Sequence, residues 1–563
     1  MIKKREIVFS IISIIIANIL INFGGIFISE VNGQSSEKKT GEGSSIIYDP
    51  NLKAELVVSG LDFPTSMAFI DQNDFLILEK KSGLVKRVID GNMMEPLLKL
   101  DVSGKDERGL LGIDIDKKEY TGFDVLYVYL SYVECKSKES CENKVVRYEL
   151  DKENNRLIFP KQILSVDSFP DESHVGGVVK VGPDDNVYVT LGDFSCTNCA
   201  QFETQAQNFE DGVSPDGRAG ILRVSPDGDP IGNGILGKEY PLNLYFAYGI
   251  RNSFGIDFDP LTGYLWDTEN GPDYGDEINL VEPGFNSGAL KIFGKFQDYS
   301  YHEFDDNLVH SNTEGPDDLV TFNGNGRYSE PELSWQHTVA PTAILFFDSK
   351  QLGNYYQNDL FVANAGGGKI YHFDLSQDRK LLELRDPLAD KVVDSEIEED
   401  SITFAEGFGM ITDLEINPYD GYLYVVAPVR DDPTGGSVYK IVPKAPGIIN
   451  VPSSPHDAKG PTSSSPPPTP PPTPTPTPTP TDNTIQFPSG IESTEEGIPH
   501  IIEDKDANNN NNNNNNNLAN CNKLTSLGKV LFAEWQLGKI TYEKTMHLGQ
   551  QIKELMIQEG CIN

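Results

Sequence analysis

The sequence has little positive charge for its length. Its 563 residues carry 46 lysines and arginines against 85 aspartates and glutamates, a formal net charge of −39. Nucleic-acid phosphates and anionic lipid headgroups are both bound by clustered lysine and arginine. The composition therefore argues against a nucleic-acid partner and against docking on an anionic membrane surface. Carboxylates in excess are compatible with hard cations such as calcium.

Several common signatures of catalysis are missing from the sequence. The glycine-rich segment Asn364–Gly368 lies between two predicted strands and lacks the Lys-Ser/Thr ending of a phosphate-binding loop. No histidine and cysteine cluster has the spacing of a zinc site. The serine-rich linker holds no nucleophile elbow. These absences argue against a nucleotide-binding protein, a zinc-dependent enzyme and a serine hydrolase.

Cysteines are few and fall into three local pairs, which are Cys135 with Cys141, Cys196 with Cys199, and Cys521 with Cys561. Three disulfides are the simplest interpretation, and disulfides are typical of oxidising compartments. The Cys196-Thr-Asn-Cys199 spacing is also found in redox and metal pairs. We favour a loop-closing disulfide there, because no second cysteine pair lies nearby in the sequence.

The N-terminus has the pattern of an export signal. Lys3, Lys4 and Arg5 precede an uncharged apolar run from Ile7 to Ser29. The run is long enough to span a bilayer, so residues 1–33 are predicted to be a signal peptide or an apolar membrane-anchor helix. In both cases the positive end stays in the cytoplasm, and the rest of the chain is expected to be extracellular or at the cell surface.

Residues 46–445 consist of short apolar or alternating runs broken by Gly, Asp, Asn and Pro, which is typical of an all-β domain. One unit recurs in it: a strand, a turn built on Asp, Pro or Gly, and a second strand with an aromatic residue. Its six copies start near Ser66, Gly109, Gly177, Gly255, Thr342 and Asp413. Six hairpins predict a six-bladed β-propeller. A β-sandwich is the alternative, and it accommodates six recurring hairpins less well.

The composition changes outside this domain. Residues 34–45 are predicted to be a flexible stem. Residues 446–517 hold a Pro/Thr run and an Asn run, which predict a disordered linker. Residues 518–563 return to helical spacing and predict a small helical hairpin, which a Cys521–Cys561 disulfide would staple. A docking or cell-surface module is the hypothesis for this segment.

Four polar stretches stand out in the predicted propeller: 106–114, 173–177 followed by 191–193, 249–255, and 269–279. At strand starts and loops, such residues line one mouth of the central channel. His174 is able to accept a proton, and Asp193, one hairpin away, is able to orient its ring. Arg251 is suited to stabilise an oxyanion, and the Gly271-Pro272 turn exposes carbonyls that suit calcium.

Each of these residues also has a plain structural interpretation. A lone histidine is usually structural or solvated, and an aspartate often caps a turn. An arginine often pairs with a carboxylate, and Gly-Pro is an ordinary turn dipeptide. Taken singly, the structural interpretation is favoured for each. Taken together and in this order, the four stretches are much more specific.

The four stretches resemble, in the same order, those of the glucose/sorbosone dehydrogenase family, soluble quinoproteins that use pyrroloquinoline quinone (PQQ). The resemblance covers residues 50–443. It implies oxidation of a sugar or related alcohol, with hydride passing to the quinone and then to an external electron acceptor. It makes His174 the general base and Asp193 its orienting partner. It assigns calcium to the carbonyls of Gly271 and Pro272.

The resemblance also implies a set of cofactor contacts. These are Arg251, which acts in catalysis as well, and Asn252, Glu107 and Trp335. Glu107 stands where the family has a polar contact near the substrate.

The sequence departs from the family at three cofactor-binding cations. Gly366 stands where a lysine is expected, and Lys369 follows three residues later. Met410-Ile411-Thr412 stands where an Arg-x-Arg pair is expected. Each lost charge-assisted contact is worth about 1.5–3 kcal/mol. Lys369 and Arg223 are the candidate substitutes.

Two other functions remain open from the sequence. One is a non-enzymatic binding propeller at the cell surface, which the lost cations and the long linker favour. The other is a calcium-dependent, lactonase-type hydrolase, for which Glu107, Asn252 and Asn279 are the available ligands. The dehydrogenase interpretation stays ahead of both because the base, its partner and the calcium turn are retained.

Overall fold

The computed structural model describes residues 45–120, 123–137, 140–168, 173–194, 203–295 and 315–444, with two short strands at 491–493 and 499–501. The predicted N-terminal helix, the C-terminal hairpin and the cysteines at 196, 199, 521 and 561 lie outside the described residues. Among the residues that the structure describes, no helix is long and apolar enough to cross a membrane.

The strands of the main domain range from 2 to 15 residues in length. In chain order they are β1 (Ile46–Ile47), β2 (Leu52–Leu61), β3 (Pro64–Asp71), β4 (Asp74–Glu79), β5 (Leu84–Ile89), β6 (Asn92–Met93), β7 (Leu98–Lys99), β8 (Leu110–Tyr120), β9 (Phe123–Ser137), β10 (Ser140–Asp151), β11 (Arg156–Ser168), β12 (Val179–Val181), β13 (Val187–Leu191), β14 (Gly220–Val224), β15 (Tyr245–Tyr248), β16 (Ser253–Phe258), β17 (Leu265–Glu269), β18 (Asp276–Val281), β19 (Phe285–Asn286), β20 (Arg327–Tyr328), β21 (Leu333–Trp335), β22 (Pro341–Phe347), β23 (Asp359–Asn364), β24 (Ile370–Phe373), β25 (Val392–Val393), β26 (Thr403–Glu406), β27 (Asp413–Ile416), β28 (Leu423–Ala427) and β29 (Gly436–Pro443).

Helical structure in the described chain is slight. One α-helix, α1, spans Glu396–Ile402, and single 3₁₀ turns span Gln205–Gln207, Leu242–Leu244, Pro316–Asp318 and Leu388–Asp390. In the predicted linker, β30 (Ile491–Ser493) pairs with β31 (Pro499–Ile501) in antiparallel fashion.

The strands β1 to β29 form six sheets. Sheet one contains β3 to β7, and sheet two contains β8 to β11. Sheet three has the order β12-β13-β14-β15-β19-β20, and sheet four the order β16-β17-β18-β21-β25. Sheet five has the order β22-β23-β24-β26-β1. Sheet six has the order β27-β28-β29-β2, so a strand from the start of the domain completes the sheet formed by its end.

The first two strands of every sheet are the hairpins predicted from the sequence, and all six pair antiparallel. Their turns have a local cause. Asp259 donates its backbone N–H to the Tyr264 carbonyl, while Gly263, at φ +73°, donates to the Asp259 carbonyl. Asn417 and Gly421, also at φ +73°, form the same pair of bonds in sheet six. Glycine adopts this left-handed conformation at little cost, so the sequence signal is specific.

The second strand of each sheet is buried on both faces because it lies between two neighbouring sheets. In β28, Leu423 and Val425 pack toward sheet five, whereas Tyr424 and Val426 pack toward sheet one. Alternate side chains of a strand point to opposite faces, which explains the continuous apolar run. Six hydrophobic clusters lie between consecutive sheets, and one of them joins sheet six to sheet one. The all-β, propeller-like arrangement predicted from the sequence is confirmed.

One predicted disulfide lies within the described residues and is confirmed. Cys135 of β9 is bonded to Cys141 of β10, directly opposite it in the antiparallel pair. The bond closes the outer end of a hairpin in sheet two.

Candidate active site

A cavity of about 710 Å³ opens at one end of the ring, where the inner strands of the six sheets begin. Its wall includes Ser66 of sheet one and Asp413 of sheet six, so it spans the ring closure. Six of the eight site residues predicted from the sequence line it: Glu107, His174, Arg251, Asn252, Gly271 and Pro272. Asp193 stands immediately behind His174.

His174 and Asp193 form a hydrogen-bonded pair. The His174 Nδ1 atom lies 2.7 Å from Asp193 Oδ1, and the two side chains are 13% and 5% exposed. Because a carboxylate only accepts, this partner assigns the hydrogen to Nδ1. The lone pair is then on Nε2, the nitrogen open to the cavity. The pair has the arrangement that a proton acceptor needs.

Glu107 connects two other parts of the site. Its Oε2 atom accepts the backbone N–H of His174 at 2.7 Å and the Nδ2–H of Asn252 at 3.2 Å. His174 has a φ of +54°, a left-handed conformation that is uncommon for a residue with a side chain. The Glu107 carboxylate helps to hold it there. Glu107 thus positions His174, in addition to lining the cavity.

Gly192 separates His174 from Arg251. A Cβ atom built on Gly192 overlaps the His174 carbonyl oxygen and lies 2.6 Å from the Arg251 carbonyl oxygen. The next residue, Asp193, donates its backbone N–H to that Arg251 carbonyl at 2.8 Å. Only glycine permits so close an approach of three backbone segments.

Arg251 is held by its backbone and by one guanidinium bond. Its N–H donates to Glu269 Oε1 at 2.6 Å, and its Nη1 donates to the Asn270 carbonyl at 2.7 Å. Burial, and then the nearby Glu277, raises the pKa of Glu269 well above its usual range. Glu269 therefore serves as a hydrogen-bond acceptor rather than as a full counter-charge, and the arginine charge remains available at the cavity.

Asp276 organises the predicted calcium turn. Its Oδ1 accepts the Gly271 N–H at 2.8 Å. Its Oδ2 accepts Thr338 Oγ1, the Val339 N–H and the Ala340 N–H at 2.6–2.8 Å. No hydrogen bond from the described residues reaches the carbonyl oxygens of Gly271 or Pro272. Both residues line the cavity, and carbonyls without a hydrogen bond are suitable ligands for a hard cation.

We expect Asp276→Asn to lower the free energy of unfolding by about 2–3 kcal/mol, because hydrogen bonds to a charged, buried acceptor are lost. The amide also turns a donor toward a backbone N–H. Urea unfolding measures the change, and Asp317→Asn is the control because Asp317 is exposed. Equal stability of the two variants would contradict the assigned role of Asp276.

Trp335 is placed away from the cavity. It is 1% exposed and packs against Tyr371 with ring centroids 5.4 Å apart, between sheets four and five. It belongs to β21, the fourth strand of its sheet, whereas the cavity is formed where first strands begin. The expectation that Trp335 contacts the cofactor is therefore corrected: it is a core residue.

The candidate substitutes for the lost cations are also placed elsewhere. Lys369 is paired with Glu399 at 3.1 Å, and Arg223 lies 3.6 Å from Asp184. Neither lines the cavity, although Met410 does. The sequence reasoning missed four cations that do line it. One is Lys180 of β12, which lies near the carboxylates of Asp257 and Glu415. The other three are Lys80, Lys81 and Arg430. These three residues follow second strands and lie outside the four polar stretches. The sequence offered one indication of them, which is that cations are scarce in this acidic chain.

Asn279 does not join Asn252 and Glu107. It is fully buried in β18, where its Nδ2 donates to Glu277 Oε2 at 3.1 Å. The three ligands considered for a calcium-dependent hydrolase thus do not converge on the cavity.

The fold and the cavity define a propeller-like protein with a polar site where its inner strands begin. A family model described as Glucose / Sorbosone dehydrogenase matches residues 61–433, which is more than half of the chain. The chain belongs to the glucose/sorbosone dehydrogenase family.

Characterised relatives are similar at modest identity. Quinoprotein glucose dehydrogenase B of Acinetobacter calcoaceticus is 27% identical over 274 residues, which cover 45% of this chain and 55% of that protein. Aldose sugar dehydrogenase YliI of Escherichia coli K12 is 22% identical over 399 residues, 70% of this chain and 93% of that protein. The structure of the soluble aldose sugar dehydrogenase from Escherichia coli in its apo-form has a TM-score of 0.52 at 19% identity, and the match covers 70% of this chain and all of that one. At that identity, the structural likeness supports the fold.

Proposed function

We propose that this protein is a PQQ-dependent dehydrogenase that oxidises a sugar or a related alcohol outside the cytoplasm. The observation that carries the proposal is the His174–Asp193 pair, which faces a cavity that Arg251 and the Gly271-Pro272 turn also line. We also propose that each of the six sheets is one blade of a six-bladed propeller. The export-type N-terminus and the Cys135–Cys141 disulfide support a location in an oxidising compartment.

The residues of the cavity fit the cofactor. PQQ is a planar tricarboxylate, and the wall offers the Arg251 guanidinium and the side chain of Asn252. These two residues would contact the quinone, as the family resemblance implies. The carbonyls of Gly271 and Pro272 would hold a calcium ion beside it.

Each of four side chains of the protein then has a separate role in the reaction. When bound, PQQ supplies the carbon that accepts a hydride. His174 Nε2 takes the proton of the substrate hydroxyl, and the Asp193 carboxylate stabilises the imidazolium that results. Arg251 would stabilise negative charge that develops on the bound cofactor. Glu107 keeps His174 in its left-handed conformation throughout.

We expect the full chain to bind PQQ in the presence of calcium, with binding measured by isothermal titration calorimetry. Reduction of an electron-accepting dye with a panel of aldoses tests turnover. Removing calcium with a chelator is expected to weaken PQQ binding at least tenfold, because a cation held by the Gly271 and Pro272 carbonyls would add positive charge to the site of an anionic cofactor. Adding calcium back is the control.

The absence of PQQ binding at high cofactor concentration would overturn the proposed function. A binding propeller would then be the leading function. Binding without turnover on any aldose would retain the quinoprotein assignment and exclude only the substrate class.

A further inference from the structure

Five cationic side chains share the cavity wall: Lys80, Lys81, Lys180, Arg251 and Arg430. Lys180 lies 3.5 Å from an Asp257 carboxylate oxygen and 3.7 Å from one of Glu415. Within the part of the chain that the structure describes, none of the other four has a carboxylate oxygen within 4.0 Å of its charged nitrogens. The chain has 85 acidic residues for 46 basic ones, so unpaired cations gathered at one place are unusual. Such a group is suited to an anionic ligand.

Three of these residues, Lys80, Lys81 and Arg430, form a group that we call the rim cations. Lys80 and Lys81 follow β4 in sheet one, and Arg430 follows β28 in sheet six. Sheets one and six are neighbours across the ring closure, so the two loops lie at the same side of the cavity. Lys80 is half-buried, whereas Lys81 and Arg430 are exposed.

The surroundings of Lys80 indicate that its charge has no anionic partner at hydrogen-bond distance among the described residues. Its Nζ donates to the Asp106 carbonyl at 2.5 Å and lies 5.1 Å from the centroid of the Phe63 ring. Burial lowers the pKa of Lys80 to about 8; the charges of Lys81 and Arg430 lower it as well, while Glu107 acts in the opposite direction. The rim cations therefore repel one another, and a bound anion would relieve the repulsion.

The vacated cofactor-binding positions lie at the same side. Met410 and Thr412 stand where the family has two arginines, just before β27 of sheet six, and both line the cavity. Arg430 belongs to the same sheet, one hairpin further along. The family has its cations at the start of the inner strand of sheet six. In this chain the cations stand instead in the loop after the second strand of sheet six and in the adjoining loop of sheet one.

We propose that the rim cations bind the carboxylates of the quinone cofactor in place of the missing arginines and lysine. This inference rests on the proposed function. The same cations are able to bind an anionic sugar, such as a uronic or aldonic acid, and the experiment separates these two sources of carboxylate.

The test measures the Kd for PQQ, with calcium present, by isothermal titration calorimetry on the full chain. The variants are Lys80→Met, Lys81→Gln, Arg430→Gln and the Lys80→Met/Arg430→Gln pair. Lys80→Arg keeps the charge and serves as the rescue. Lys238→Gln and Arg327→Gln are matched controls, because both residues are exposed and neither lines the cavity. A thermal unfolding curve for each variant verifies folding.

We expect Kd to rise about 10-fold or more for Lys80→Met, about 3- to 10-fold for each exposed cation, and about 100-fold for the pair. Lys80→Arg and both controls stay within about 2-fold of the parent. Raising the salt concentration should weaken PQQ binding to the parent more than to the pair variant.

Three outcomes overturn the inference, and they are distinguishable. If the parent binds PQQ and every variant binds it equally well, the rim cations are not the clamp, although the proposed function stands. If the variants keep the Kd for PQQ but raise KM for uronic or aldonic acids alone, the cations recognise substrate instead. If the parent binds no PQQ, both the inference and the proposed function fail.

Discussion

Turnover with sugar is expected to fall about 10²- to 10⁴-fold when His174 is replaced by asparagine. Asparagine tolerates the left-handed backbone, at φ +54°, better than most residues do. It also keeps hydrogen-bonding capacity toward Asp193, but it accepts no proton at neutral pH. The variant therefore removes the base while disturbing the backbone little.

The measurement is dye reduction under saturating PQQ and calcium, with the Kd for PQQ determined alongside. The Kd should stay within about 3-fold, because His174 is expected to act on the substrate proton rather than on cofactor affinity. His337→Asn is the control, since His337 is exposed and lies outside the cavity wall. Turnover within tenfold of the parent would show that another group takes the proton.

The second large effect is expected for Gly192→Ala. The added methyl group would overlap the His174 carbonyl and lie 2.6 Å from the Arg251 carbonyl, and neither backbone segment is able to move without the other. Overpacking of this kind typically costs about 1–3 kcal/mol of unfolding free energy. A displacement of about 1 Å between reacting groups costs about 10²-fold in rate. We therefore expect loss of both stability and turnover.

Gly367→Ala is the matched control, because a Cβ atom there meets nothing within 4 Å and the residue lies outside the left-handed region. Urea unfolding and dye reduction on the two variants form the comparison. If Gly192→Ala equals Gly367→Ala in both measurements, the close approach of backbones at the base is not a constraint on the site.

The hairpins could be predicted from the sequence because their causes are local. A turn such as Asp259–Gly263 needs a short polar side chain at one end and a glycine at the other, and both are visible in a short stretch of sequence. The pairing of His174 with Asp193 was similarly accessible, because one hairpin separates them and both stretches carry glycines. The resemblance to a known family then gave these residues roles.

Other features depend on contacts between distant parts of the chain. The bonds from Thr338, Val339 and Ala340 to Asp276 join segments more than sixty residues apart in the numbering. Nothing local distinguishes Asp276 from the other aspartates of an acidic chain. The rim cations were missed for the same reason, since their loops meet only when sheet six closes against sheet one. Trp335 was misplaced because an aromatic residue near a polar stretch gives no indication of which strand of its sheet it occupies.

The pairing of β2 with β29 has a consequence for how the molecule is made. Leu52 pairs with Pro443, so the last sheet takes one strand from each end of the domain. During translation, a chain that has reached β28 still lacks β29, so the edges of β28 and β2 have no partner strand between them. Because contacts between such distant residues form slowly, completion of the ring is expected to be the late event in folding. A chain truncated before Gly436 would lack β29, so sheet six would stay incomplete beside the rim cations. We expect such a chain to be a target for proteolysis.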